Sequence, residues 1–179
     1  MAKSLLLCCL ASVGLTVASI SPAAADEAGD EEILSVVDAF FLALATGDAD
    51  ALDTLVSSEA LSVRLTPETD APPRYGRLED LAALFREGRG TQVVEPYWSP
   101  TVLRRRSLAA VWAPYEVSVD DRLVHCGIDL FTLSKQGGGW KIDSISYTVE
   151  PSACDELRPQ DRSIMRPDFP IASPKENDQ

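Results

Sequence analysis

Residues 112–131, "WAPYEVSVDDRLVHCGIDLF", hold two apolar-rich runs on either side of Asp120-Asp121, and how they fold back on each other decides the architecture. Alternation up to Val119 and again from Leu123 reads as two strands, and a two-residue Asp-Asp link between them reads as a hairpin turn. A turn centred there sets Val117 opposite Val124, Glu116 opposite His125 and Tyr115 opposite Cys126. Successive side chains leave a strand on opposite faces, so His125, the one histidine of the chain, and Cys126 look away from each other. That geometry argues against a cysteine–histidine nucleophilic pair, whose thiol and base must come within hydrogen-bond reach. His125 and Glu116 are instead predicted to share a face. Asp129 lies opposite Trp112 and Phe131 opposite Ala110 further along it, with Gly127 and Pro114 leaving a hollow between the two clusters.

Working outward, Val93–Trp98, Thr101–Arg106, Leu108–Val119, Leu123–Leu133 and Trp140–Val149 all read as strands, and Gly137-Gly138-Gly139 reads as a hairpin loop. Trp140 and Ile142 keep one phase while Ile145 and Tyr147 keep the other, which predicts a bulge near Asp143. Ahead of residue 90 the period becomes helical. Ile33, Val37, Phe40 and Leu44 form one stripe over Glu31–Thr46, widened by Leu34, Val36 and Phe41, with Asp30 as cap and Gly47 just past the end. Asp48 opens a shorter helix through Leu52, Leu55 and Val56. Leu61–Leu65 alternates as a short strand, "TPETDAPPRYG" (66–76) reads as a loop, and Leu78, Leu81, Ala82 and Phe85 mark a third helix stopped by Gly88. Helices first and strands last predict one α+β domain, about three N-terminal helices packed on a curved antiparallel sheet.

The chain opens on a lysine, runs apolar from Leu5 to Ile20 and closes on Ser21-Pro22-Ala23-Ala24-Ala25 before Asp26, the pattern of a secretory signal peptide over residues 1–25. Cleavage near Ala25 sends a domain of residues 26–154, and a polar, proline-bearing tail at 155–179 read as extended or disordered, to the periplasm or the exterior. Loss of Lys3 leaves 15 basic residues against 28 acidic, a formal charge of −13. Such a surface repels phosphate backbones and anionic lipid, so neither nucleic acid nor, after cleavage, a membrane is an expected partner. Cys8 and Cys9 leave with the leader, while Cys126 and Cys154 enter an oxidising compartment as either a disulfide or two separate thiols.

Two readings of the His125 face stand side by side. In one, His125, Glu116 and Asp129 line a pocket capped by Trp112 and Phe131, and the histidine–carboxylate pair moves protons. In the other, Glu116–His125 is an ordinary cross-strand charge pair on a solvent or subunit face. One histidine and two mature cysteines, without Cys-x-x-Cys or His-x-x-x-His spacing, predict no metal site. No glycine-rich phosphate loop is present and no cofactor is expected. Arg104-Arg105-Arg106 reads as a solvated strand end, and Asp38 as an exposed carboxylate on the polar side of the first helix.

The run from Leu108 to Leu133, followed by "GGWKIDSISYTVE" and Cys154, resembles the nuclear transport factor two-like superfamily, in the group labelled lumazine-binding or SnoaL-like. Trp112, Pro114, Tyr115, His125, Cys126, Gly127, Phe131, Trp140, Lys141 and Ile142 carry the resemblance, which spans roughly residues 31–154. It implies a cone-shaped fold, about three helices wrapped by a strongly bent sheet around a pocket at the wide end, often paired through the sheet as a homodimer. Asp121 departs from the glycine usual at that turn. The superfamily holds isomerases, cyclases and dehydratases as well as members without a catalytic role, so fold does not settle function. The leading expectation is an exported, cofactor-free domain binding a modest apolar or mixed-polarity molecule, with Trp112, His125, Phe131 and Tyr115 as ligand-binding residues. The alternatives are an acid–base isomerase, cyclase or lyase with His125 as base, Glu116 as its orienter and Asp129 or Tyr115 as second proton carrier, and a non-catalytic dimerisation module.

Overall fold

The computed structural model describes residues 22–69 and 71–169; residues 1–21 of the expected leader and 170–179 of the expected tail lie outside them. Helix α1 (Pro22–Thr46) carries the expected stripe into the core, with Ile33, Val37, Phe40 and Phe41 all buried. It starts ahead of Glu31, so Asp30 caps nothing; its carboxylate accepts from Arg104 Nε at 2.6 Å, making that arginine a tie to the helix. Gly47 adopts φ +70° just past the last turn, and Asp48 caps α2 (Ala49–Leu55) by accepting from Ala51 N at 2.9 Å.

Strands β1 (Val56–Leu65), β2 (Arg74–Arg77), β3 (Thr101–Arg105), β4 (Leu108–Val119), β5 (Arg122–Gln136) and β6 (Gly139–Thr148) form one six-stranded sheet in the order β2-β1-β6-β5-β4-β3, with α3 (Glu79–Arg86) between β2 and β3. The last four strands are the expected antiparallel meander. Two features correct the sequence reading. Arg74–Arg77, read as loop, is a strand paired antiparallel with β1, and β1 runs parallel to β6, so the sheet is mixed. A parallel join needs a long crossover, and here the chain between β1 and β6 supplies it. Val93–Trp98 is not a regular strand: Pro96 has no N–H to give, and the segment meets β4 through single bridges, Val94 with Ser118 and Tyr97 with Tyr115.

The hairpin turn is where it was expected, with Asp120 and Asp121 both at positive φ, 50° and 61°, as a two-residue turn matching the strand twist requires. The register beyond it is not. Val119 faces Arg122 and Ser118 faces Leu123, but Val117 then faces His125, leaving Val124 as an unpaired bulge residue. Every later pair is displaced by one: Glu116 lies opposite Cys126, Tyr115 opposite Gly127, and Ala113 opposite Asp129. The second bulge was legible, because Leu133 faces Ile142 and Thr132 faces Ser144, with Asp143 the extra residue.

The tail through residue 169 is docked. After a short helix α4 (Cys154–Leu157), Arg166 exchanges two backbone hydrogen bonds with Tyr97, each 2.7 Å. Arg158 Nε lies 2.7 Å from Glu116 Oε2, an ion pair without an aligned hydrogen bond, and Arg162 donates to Glu116 Oε1 at 2.6 Å. Arg166 reaches Asp38 at 2.7 Å and Glu31 at 2.6 Å, and Tyr97 Oη donates to Asp38 at 2.7 Å. Asp38 is therefore an anchor for the tail. Cys126 and Cys154 are bonded, with Cα atoms 5.1 Å apart, which fixes the start of the tail to the outer face of β5.

Candidate functional site

The displaced register sorts the expected site residues onto two faces. Ala109, Val111, Ala113, Tyr115 and Val117 of β4 point at the helices, and His125, Asp129, Phe131 and Leu133 of β5 join them. Glu116 and Cys126 point the other way, as does Trp112, which is 51% exposed. The His125–Glu116 pair is thus overturned: Glu116, 4% exposed, serves under the tail as partner of Arg158 and Arg162. Trp112 caps no pocket. The expectation that His125 and Cys126 face apart holds.

Tyr115, placed on the far side from His125 by the sequence reading, is its hydrogen-bond partner. Its hydroxyl donates to Thr148 O at 2.7 Å and lies 3.1 Å from His125 Nε2, with the two rings edge to face. Since the tyrosine proton is committed to the carbonyl, the imidazole must donate through Nε2, which defines the neutral tautomer carrying its proton there. Burial holds the His125 pKa below the ordinary histidine range and the positive charge of Arg64 adds to this. The hollow predicted at Gly127 is filled: a Cβ built there would stand 2.0 Å from Thr148 O and 2.9 Å from Tyr115 Cε1. Gly127→Ala is accordingly expected to destabilise the fold by about 2 kcal/mol through overpacking, read as a lowered urea midpoint with an unchanged m-value.

The hollow that does exist is a cavity of about 410 Å³ between the helices and the inner sheet face. Phe40, Phe41 and Leu44 of α1 form one wall, Leu78, Leu81, Leu84 and Phe85 around α3 form a second, and Val117, Phe131 and Ile145 of the sheet form the floor. Phe41 and Phe131 meet edge to face with centroids 5.5 Å apart, so this part of the wall is a rigid aromatic corner. His125, Tyr115, Tyr147, Asp129 and Glu95 supply polar groups to the same space.

Glu95 is a candidate site residue that sequence reasoning missed. It sits in "VVEPYW", a lone carboxylate in an apolar and aromatic run, which is itself a signal of a buried acid. Burial pushes its pKa up to about 8. Asp129, 2% exposed, is also pushed well above the carboxylate range, first by burial and then by the charge of Glu95, and its Oδ2 has no hydrogen-bond partner. With both raised, these two acids keep protons near neutrality that an exposed carboxyl pair would lose. Burial, then the charges of Glu95 and Asp129, drive the Tyr115 phenol upward, so it stays protonated.

No family model matches the chain, and no curated protein matches it. Solved structures do. An NTF2-like protein from Cytophaga hutchinsonii is similar at a TM-score of 0.55 and 14% identity, over 67% of this chain and 97% of that one. A Mycobacterium tuberculosis protein of unknown function gives 0.59 at 13% identity, over 82% of this chain and 88% of that one. A Streptomyces avermitilis member of the NTF2-like family, proposed to be a dehydratase, gives 0.54 at 18%, over 69% and 97%. At such identities the likeness is one of fold, and it does not single out the lumazine-binding or SnoaL-like group. The chain has the nuclear transport factor two-like fold.

Proposed function

We propose that this is an exported small-molecule-binding domain whose ligand enters the cavity between α1, α3 and the inner sheet face. The single observation that carries the reading is a largely apolar space of about 410 Å³ with the unsatisfied Asp129 carboxyl in its lining, the ordinary make-up of a ligand site. Export is supported by the leader pattern in the sequence and by the Cys126–Cys154 bond, which suits an oxidising compartment. The test uses Nile red, a neutral dye whose emission shifts blue in apolar surroundings. One dye is expected per chain, with affinity falling about tenfold, or 1.4 kcal/mol, in Leu81→Trp, which fills the wall at α3 while the melting temperature holds. Equal dye binding by that variant would place the dye, and the reading, elsewhere.

A second reading, an acid–base isomerase, cyclase or lyase, is favoured by Glu95, whose pKa of about 8 suits proton transfer near neutrality. Its proton carriers are Glu95 and Asp129, in place of His125 and Glu116. Assembly is a separate proposal: Leu103, Leu108 and Trp112, at 68%, 60% and 51% exposure, share the outer face of β3 and β4, a face suited to a homodimer. Sedimentation at micromolar concentration is expected to show a dimer that Trp112→Glu converts to monomer; a monomeric parent chain ends that proposal.

A further inference from the structure

Asp129 poses a problem that the fold itself leaves open. Its Oδ2 is buried without a hydrogen-bond partner, and no ion pair to a cation holds either Asp129 or Glu95 among the described residues. An unmatched buried acceptor is costly, and a protein-borne donor would have removed that cost. Two of the nearby donors are spent, while the buried Nε–H of Arg64 has no hydrogen-bond partner either. Tyr115 gives its proton to Thr148 O, and His125 gives Nε2–H to Tyr115. Arg64 acts on His125, Tyr147 and Tyr115 but is not among the influences on either carboxyl. Arg89 lines the cavity but is ion-paired with Glu87 at 2.7 Å.

None of these donors reaches Asp129 Oδ2, which is left to a donor entering the cavity, and three features define its chemistry. It faces two carboxyls, so a group with several N–H donors satisfies both at once, which a hydroxyl cannot. Asp129 stands directly across from Tyr147 and shares a face with Phe131, two residues on, so aromatic rings flank the acid where a cation gains from their faces. The rest of the cavity is aliphatic and aromatic, which requires an apolar body.

We propose that the cavity takes an amphipathic amine, a protonated primary or secondary ammonium seated between Asp129 and Glu95 with its hydrocarbon body against α1 and α3. The inference rests on the binding-pocket reading and deepens it. Seating the cation favours the carboxylate forms of the protonated acids, so the ammonium that enters displaces protons to solvent and no bond other than O–H is broken. Binding therefore tightens as pH rises towards about 8, where Glu95 gives up its proton unaided. Of the groups facing the carboxyls, Tyr115 and Tyr147 have their pKa values raised and stay protonated through that range, His125 has its lowered, and Arg64 and Arg89 are guanidinium groups, so the carboxyls govern the dependence.

The experiment is calorimetric titration of the full chain with three probes of one shape: phenylbutylamine, phenylbutanol and phenylbutyrate. The amine is expected to bind at least about tenfold tighter than the alcohol at pH near 8, with heats below that pH that vary with buffer ionisation enthalpy as proton release demands, and the carboxylate not to bind. Asp129→Asn should erase the preference for the amine, with Glu95→Gln, at a less buried position, as the second variant if the first fails to fold. An alcohol that binds as well as the amine, or amine binding without proton release, overturns the inference and leaves the pocket reading standing. Failure of all three probes and of Nile red overturns both.

Discussion

Titration of the unfolding free energy should show stability falling by on the order of 3–5 kcal/mol as pH rises from about 4.5 to about 8, chiefly on account of Glu95. A carboxyl whose folded pKa lies above its unfolded value holds its proton more tightly in the fold. Its contribution is whole below the unfolded value near 4.5 and has gone once pH passes the folded value of about 8. Asp129 acts in the same direction, raised by burial and by Glu95. His125 acts in the opposite direction: burial lowers its pKa, so its contribution is lost on acidification and restored as pH climbs past the ordinary histidine value. Urea denaturation across this range separates the contributions. The Glu95→Gln, Asp129→Asn double variant is expected to lose the decline and keep only the opposite, rising contribution of His125, and His125→Phe to steepen the decline. A parent profile that does not fall between these limits, or a fall that survives in the double variant, contradicts raised pKa values at Glu95 and Asp129.

Reduction of Cys126–Cys154 is expected to cost about 3–4 kcal/mol, the chain-entropy value for a loop closed across 28 residues. Cys154→Ser in the parent background should give the same loss. The effect should extend to the tail, because the bond positions α4 so that Arg158 and Arg162 meet Glu116. Without the covalent tie those two ion pairs depend on a segment held by Tyr97–Arg166 pairing and the Asp38 contact. Limited proteolysis in residues 155–165 is expected to follow reduction, and Glu116→Gln to soften the loss, since a neutral amide left under a loosened tail is less costly than an unpaired buried carboxylate. A denaturant midpoint unmoved by reduction would contradict this.

The position of the hairpin turn was legible, and so were the three leading helices, the meander and the bulge at Asp143, because each leaves a mark in apolar periodicity. At Asp143 the mark is a change of phase between Ile142 and Ile145, both buried. The bulge at Val124 left none: Val124 is apolar yet 51% exposed, so nothing in the pattern flags it as the extra residue. Since the strand period is two, that single insertion exchanged the faces, took His125 from Glu116 and gave it to Tyr115. The mixed sheet was hidden for another reason, as pairing of β1 with β6 is a long-range choice that neither strand's composition records. The tail was misread because its order comes largely from ionic, backbone and covalent ties, with little apolar periodicity beyond Phe169 packed against the core. Arg158, Arg162 and Arg166 recur every four residues, a pattern visible only to a reader looking for charge.

Tyr97 is paired through its backbone on both sides, to Tyr115 of β4 and to Arg166 of the tail. That arrangement bears on self-association. The half of β4 from Pro114 to Ser118 lies beyond the reach of β3, and its amides would otherwise template the extended chain of a neighbouring molecule. Residues 94–98 occupy that row, and the tail in turn covers theirs. The outermost strands that stay open are guarded differently, β2 by Arg74 and Arg77 and β3 by Arg104 and Arg105, whose charges discourage a like strand from docking. The C-terminal segment is in this sense a seal against fibre-like growth, and clipping it away would trade a discrete particle for one with a sticky flank.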